Sequence, residues 1–352
     1  MGKLTYHSND EFWSFLMTGI DTSAINNKVR TKIFPLIDTH THFDAPVFDK
    51  DRGEQAQFAY DKGVRHLVLV GYLHRYFVRL YENQQQINDL CQLDKKNCLN
   101  QKKRFPKVHI ALGLHPFYIE QHTEAHLEEM AQMLNEQRPL AIGEIGLDTF
   151  TDAMKQPETF AKQQRFFIAQ LDMAVAHQLP VMLHIRKAHA EALALLKAHN
   201  YDAHKLGGIA HSFSGGVQEA KAFAKLGFKL GVTGQITNPN AKKLRLAIQA
   251  AVESYGIDCL VIETDCPDMM PILGQTLDNN LEDASSNNAS VLGRDKNSEW
   301  GDTSMHSRNV PANLLYVLHS LSELLNVPAA ILAQQLWLNS CNALQTKWSY
   351  TL

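Results

Sequence analysis

The segment "IDTHTHFD" (37–44) places His40 and His42 two residues apart behind an apolar run, with Asp38 and Asp44 on either side. On a β-strand, that spacing turns both imidazoles to one face. A lone His-x-His is ordinary. It gains meaning because similar groups recur where later apolar runs end: His115 in "GLHP", Glu144 in "PLAIGE", His184 in "LPVMLH", His211 in "LGGIAH" and Asp265 after "CLVIET". Each alone reads as a hydrogen-bonded structural residue, but the joint pattern does not. Neutral imidazoles and carboxylates are the donors that Zn2+, Mn2+ and similar divalent ions take. His40, His42, His184, His211, Glu144 and Asp265 are more than one tetrahedral ion needs. They suit two ions about 3.5–4 Å apart that share a carboxylate, with Glu144 as the bridge. Such a site would activate a water, and Asp265 would take its proton or give one to the leaving group.

Gathering these groups requires a fold that collects strand ends. Short apolar runs occur at 32–38, 66–71, 108–113, 139–144, 179–184, 206–211, 228–233 and 259–264. Amphipathic patterns such as 158–178, 218–226 and 241–254 lie between them. Near-continuous apolar strands suit a parallel sheet buried on both faces. Strand and helix alternating in this way predict an α/β (β/α)8 TIM barrel, whose C-terminal rim carries catalytic residues. An open doubly wound sheet is the alternative, but no glycine-rich phosphate turn follows the first run.

The remaining chain divides around that barrel. Residues 1–32 read as an N-terminal extension with a short helix near Glu11–Met17, and 33–352 as one hydrolase domain. The polar stretch 272–306 reads as an insertion, disordered or partly ordered. Helical segments at 311–325 and 328–346 close the chain.

A net charge of −3 argues against a broad basic surface for duplex DNA, so any nucleic-acid contact must be a local groove. The basic clusters at 101–107 and 242–245 read as solvated faces. Five cysteines without a CxxC point to reduced thiols and a cytoplasmic protein. No stretch approaches the roughly 18 apolar residues of a membrane span.

Taken in order, "LIDTHTHFD", "GLHP", "AIGEIGLD", "PVMLHIR", "AHSFSG" and "VIETDCPDMMP" resemble the TatD family of metal-dependent DNases, in the amidohydrolase superfamily. The likeness covers about 33–271 and resumes at "SRNVPANL" (307–314). It implies a (β/α)8 barrel, two divalent ions (Mg2+, Mn2+ or Zn2+) and exonucleolytic hydrolysis of single-stranded DNA or frayed ends. It also implies His40, His42, Glu144, His184, His211 and Asp265 as ligands.

Arg186, in the family's His-x-Arg, would clamp a phosphate or pair with a nearby carboxylate. His115 would contact a phosphate, order a water or simply pack. Ser212 and Ser214 would donate to substrate oxygens or cap the following helix.

The chain departs from the family pattern in several places. In "GYLHRYF" (71–77), Tyr72, His74, Arg75 and Tyr76 would stack a base and touch phosphate, or merely start a helix. Thr149 stands where an aromatic is common, with Phe150 as a substitute. Cys266 and Asp268 alter the end of the eighth strand. The segments 1–32 and 272–306 are candidates to dock a protein partner. Two other readings stay open: an esterase or deacylase, for example on aminoacyl-tRNA, and a TatD-like component of a multiprotein assembly.

Overall fold

The computed structural model describes residues 33–96, 104–272 and 308–351. The expectations for 1–32 and for 273–306 lie outside the described residues.

Eight parallel strands follow one another in chain order around a barrel: β1 (Leu36–Thr41), β2 (Val64–Val70), β3 (Lys107–Leu112), β4 (Ala141–Asp148), β5 (Val181–Arg186), β6 (Ile209–Ala210), β7 (Lys229–Val232) and β8 (Leu260–Ile262). The circle closes where β8 meets β1. Asp265 N donates to His40 O at 3.0 Å, and Thr39 Oγ1 donates to Ile262 O at 3.1 Å.

Between strands run α1 (Arg52–Asp61), α2 (Phe77–Lys96), α3 (Glu124–Glu136), α4 (Pro157–His177), α5 (His189–Ala198), α6 (Ala203–Leu206), α7 (Val217–Lys225) and α8 (Lys242–Tyr255). Two further helices, α9 (Leu314–Leu325) and α10 (Ala329–Ala343), close the chain. α4 starts on Pro157 and stops at Gln178 in the left-handed region. α9 stops likewise at Asn326, a residue type that tolerates that conformation. Among the described residues no single helix is long and apolar enough to cross a membrane.

Alternation along the strands builds two cores. In β2, Val68 and Val70 point into the barrel, while Leu67 and Leu69 pack outward against helices. Ile37, Ala111, Ala141, Met182, Ile209 and Val261 fill the rest of the interior. Trp337 and Cys341 of α10 pack on the same group, and Asn339 donates to Leu260 O and Ile257 O. With α10 packed at that end, the open end is the C-terminal rim.

The structure corrects several strand limits. The first strand is Leu36–Thr41 rather than 32–38, so His40 lies within it. The fourth does not end at Glu144 but runs on to Asp148, because β5 pairs with it as far as Arg186. The sixth is only Ile209–Ala210, since Leu206 ends α6 and Gly207 and Gly208 turn with positive φ. At 242–245, Lys242 and Lys243 are exposed on α8, as a solvated face requires.

Candidate metal centre

Two irregularities aim the central side chains. β1 shifts register against β2 between Asp38 and Thr41, and β4 shifts against β5 between Gly143 and Ile145. A bulge breaks strict alternation and re-aims a side chain. Thr39 and His40 therefore both reach the barrel mouth. The Thr39 hydroxyl also lies 3.3 Å from Glu263 Oε2, and His40 Nε2 stands 3.2 Å from Glu144 Oε2. Gly113 lets β3 lie close to this point: a Cβ there would sit 2.5 Å from Gly143 C and 2.7 Å from Glu144 N.

Glu144 is the hub. Its Oε2 faces His40 at 3.2 Å and His42 at 3.5 Å. Its Oε1 faces His184 Nδ1 at 2.7 Å, His115 Nε2 at 3.2 Å and His211 Nε2 at 3.7 Å. Asp265 repeats the division: Oδ1 lies 3.8 Å from His40 and 3.9 Å from His42, and Oδ2 lies 3.6 Å from His211. The structure thus brings together all six residues read as ligands. Asp265 holds its place three residues past β8 with a φ of 54°.

These groups fit divalent cations better than they fit one another. The ring nitrogens of His40 are buried without an aligned hydrogen bond, although Glu144 and Asp265 are close. His40 stacks on His211 at 3.4 Å, and burial, reinforced by each other's charge for His40, pushes both down to about 3. They are neutral imidazoles with lone pairs to offer. Burial pushes the Asp265 carboxyl well above its usual range, with Glu144, Asp268 and Glu263 adding to the effect. Burial also acts upward on Glu144, but the surrounding histidines, His115 first, hold it well below the usual range. Crowded buried carboxylates around the neutral His40 and His211 rings are what a cation relieves, whereas the carboxylates beside His42 lift that ring to about 9 against the effect of burial. Three groups of donors have ligand spacing: His40 with His211 and Asp265, His40 with His42 and Glu144, and His115 with Glu144 and His184.

His115 belongs with these groups by position but differs chemically. Its Nδ1 accepts from Phe117 N at 2.9 Å, so in the neutral ring the proton sits on Nε2. Burial lowers it to about 4, which keeps the ring neutral. His115 therefore presents an N–H to the site, where His184 Nδ1 lies 3.1 Å away, and offers no lone pair.

Residues not singled out from sequence complete the arrangement. Asp148 Oδ2 meets His184 Nε2 at 2.9 Å, leaving Nδ1 toward Glu144. Burial opposes charge on His184, but the bonds to Asp148 and Glu144 lift it to about 9. Glu263 Oε1 lies 2.9 Å from His211 Nδ1, out of line for a hydrogen bond, and accepts from Ser212 N at 2.5 Å. The signal was available: Asp148 follows Glu144 by four positions, and Glu263 precedes Asp265 by two.

Two buried glutamines of α4 brace the rim from outside. Gln163 bonds Asp148 N and O, and Gln170 bonds Leu114 N and O, beside His115. Asp38, at the start of the motif, turns to Thr264 N and Oγ1 instead of the site.

The remaining candidates sit around the mouth. Arg186 ends β5 with its guanidinium carbon 3.4 Å from the Phe150 ring centroid. Ser212 uses its backbone N–H on Glu263 at a φ of 42°. The capping role for Ser212 and Ser214 fails: α7 begins at Val217 with Gly216 as N-cap, and Glu219 accepts from Gly216 N at 2.9 Å. Tyr72 is buried edge-on to His42 at 5.4 Å. His74 pairs with Glu129 at 2.6 Å, and Arg75 donates to Gln121 at 2.6 Å.

A family model described as TatD related DNase matches residues 37–345. The chain belongs to that family. It is 36% identical over 236 residues to the uncharacterized metal-dependent hydrolase YjjV of Escherichia coli, covering 66% of this chain and 80% of that one. It is 28% identical over 236 residues to the 3'-5' ssDNA/RNA exonuclease TatD of Salmonella typhimurium, covering 67% and 80%. The crystal structure of the Escherichia coli TatD homologue YjjV superposes with a TM-score of 0.66 at 30% identity, covering 89% of this chain and 98% of that one. The chain is thus a TatD-type metal-dependent hydrolase on a TIM barrel.

Proposed function

We propose that this TatD-type hydrolase cuts phosphodiester bonds of single-stranded nucleic acid from an end, using two divalent ions. The observation that carries this is the divided Glu144 carboxylate: one oxygen faces His40 and His42, the other His184 and His211. One carboxylate between two imidazole sets could hold an ion on each side, with His40 and His42 at one oxygen and His184 and His211 at the other. Asp265, facing both sets, completes the six. Bound divalent ions supply an acidified water and charge neutralisation at a phosphoryl oxygen.

The chain's own groups do the rest. With cations bound to offset the burial that keeps it neutral, Asp265 would be ionised and could accept the proton of the attacking water. His115 donates its Nε2–H to an oxygen in the site. Arg186 at the rim holds a non-bridging phosphate oxygen through paired N–H donors. The Salmonella typhimurium relative's name, an ssDNA/RNA exonuclease, agrees with this substrate class. Residues 33–352 act as the catalytic domain in this reading, with 1–32 an extension. Cys259, Cys266 and Cys341 are buried free thiols, which supports a reducing compartment such as the cytoplasm.

The test is an incubation of purified protein with Mn2+ or Mg2+ and oligonucleotides labelled at either end, beside a metal count per chain. Progressive shortening from one end, abolished by chelator, is expected with two ions bound. Intact oligonucleotides together with chelator-sensitive cleavage of carboxylic esters would replace the nuclease reading with a deacylase one.

A further inference from the structure

Outside the metal centre, two cations converge on one exposed ring. Phe150, 43% exposed, carries the Arg186 guanidinium carbon 3.4 Å and the Lys187 ammonium 4.8 Å from its centroid. The placement is built. Thr149 N donates to Arg186 O at 3.0 Å, and Thr149 Oγ1 donates to Lys187 O at 2.8 Å. Asp148 fixes the ring's own backbone by accepting from Phe150 N at 2.7 Å, while its other oxygen holds His184. One buried carboxylate thus ties the ledge to the metal side.

Lys187 sits at a φ of 55°, where a residue with a Cβ is strained by about 1–2 kcal/mol. Strain of this kind persists where the surroundings enforce it, commonly at functional sites. Here it accompanies a Lys187 side chain that lies over Phe150 beside Arg186. Two like charges brought together repel, and an exposed ring returns only about 0.5–1 kcal/mol for each. Lys187, without an ion pair among the described residues, is the cation here that an anion at the rim could pair with.

We infer that Lys187, seated on Phe150 next to Arg186, is a second phosphate subsite that takes the phosphate adjacent to the one being cut. The inference rests on the nuclease reading and sharpens it: the preferred substrate carries at least two consecutive phosphodiesters. Arg186 serves the scissile phosphate and Lys187 its neighbour, with Phe150 holding both cations at the rim.

The test uses the full chain and two readouts. Binding of a fluorescent decathymidylate is followed by anisotropy in chelator at several salt concentrations. Turnover with Mn2+ is then compared on the decathymidylate and on a dinucleoside monophosphate, which has a single phosphodiester. Lys187→Gln is expected to weaken decathymidylate binding and to flatten the salt slope by about 0.7, the loss of one single-strand phosphate contact. It should raise KM on the long substrate several-fold and leave the dinucleoside monophosphate unchanged. Lys205→Gln, the same charge change on α6 at the opposite end of the barrel, should alter neither. An unchanged salt slope, or equal losses on both substrates, would overturn the subsite while wild-type shortening keeps the nuclease reading alive. Wild-type protein that binds the oligonucleotide with the expected Lys187-dependent slope but never cuts it would uphold the subsite and defeat the nuclease reading.

Discussion

Asp148 and His184 meet at 2.9 Å through Oδ2 and Nε2, on adjacent strands. The contact leaves His184 Nδ1 as the nitrogen that faces Glu144. Carboxylates behind ligating histidines fix ring orientation and basicity, and their loss typically costs 10–100-fold in metal affinity. Asp148→Asn should therefore lower Mn2+ affinity about 10–100-fold with the far-UV spectrum unchanged. Calorimetric titration decides it, and wild-type affinity in the variant would remove Asp148 from any positioning role.

Asp265 and Glu144 should respond differently from ordinary core residues. The Asp265 carboxyl is held above its usual range by burial and by Glu144, Asp268 and Glu263. A raised pKa in the fold means its stabilising form is the neutral one, so stability is lost as pH rises through the folded value. Asp265→Asn removes that cost. In chelator at pH 8 its melting temperature should equal or exceed wild type, while turnover with metal collapses. Glu144→Gln should also abolish turnover. A variant that melts far below wild type in chelator would show that the acid is structural.

Metal removal should destabilise the native protein. The His40 nitrogens lack aligned hydrogen bonds, and the carboxylates around them repel, so chelation leaves these costs unrelieved. Returning a divalent ion at a hundred times its Kd should add about 2.7 kcal/mol for one site. Thermal melts against ion concentration provide the measure, and a melting temperature indifferent to chelator would contradict the assignment of these residues as ligands.

A histidine pair at the other end of the barrel sets an acid limit on stability. His66 Nδ1 and His109 Nε2 lie 3.0 Å apart under Trp348, whose ring stacks on His66 at 4.0 Å. Burial, with Lys107 and Arg65 adding repulsion, lowers His66 to about 4. Burial, with His66 and Lys107, lowers His109 to about 3. Both are neutral in the fold, whereas unfolded histidine titrates near 6.5. The unfolded chain thus binds more protons below that value, so stability is complete above about pH 6.5 and falls as pH drops toward 4. His109→Gln should flatten the melting profile between pH 7 and pH 5 relative to wild type. A parallel profile would mean the pair is already protonated or exposed.

Close approach at the hub gives a backbone test. Gly113→Ala would press its new methyl on Gly143 C and Glu144 N, neither of which can swing aside. The expected result is lost metal binding with a lowered melting temperature. Retention of both would show that β3 and β4 have slack at this level.

Which eight strands exist was legible in the sequence, while the ends of the first, fourth and sixth were not. Apolar runs buried on both sides of a parallel sheet are legible without an alternating pattern, and helices such as α4 and α8 announced themselves within a residue or so. The six residues read from it as ligands do meet, because a barrel carries the ends of all its strands to one rim.

What the sequence could not contain was direction. Counting by twos along β1 or β4 does not tell which way His40 or Glu144 points, since a shifted register in each strand breaks the alternation. Nor could it tell that Asp38 turns to Thr264, that His115 offers a proton instead of a lone pair, or that Asp148 serves His184. Those depend on which atoms of distant segments end up within 3 Å, a distance fixed only when the barrel closes and the strands take their final register.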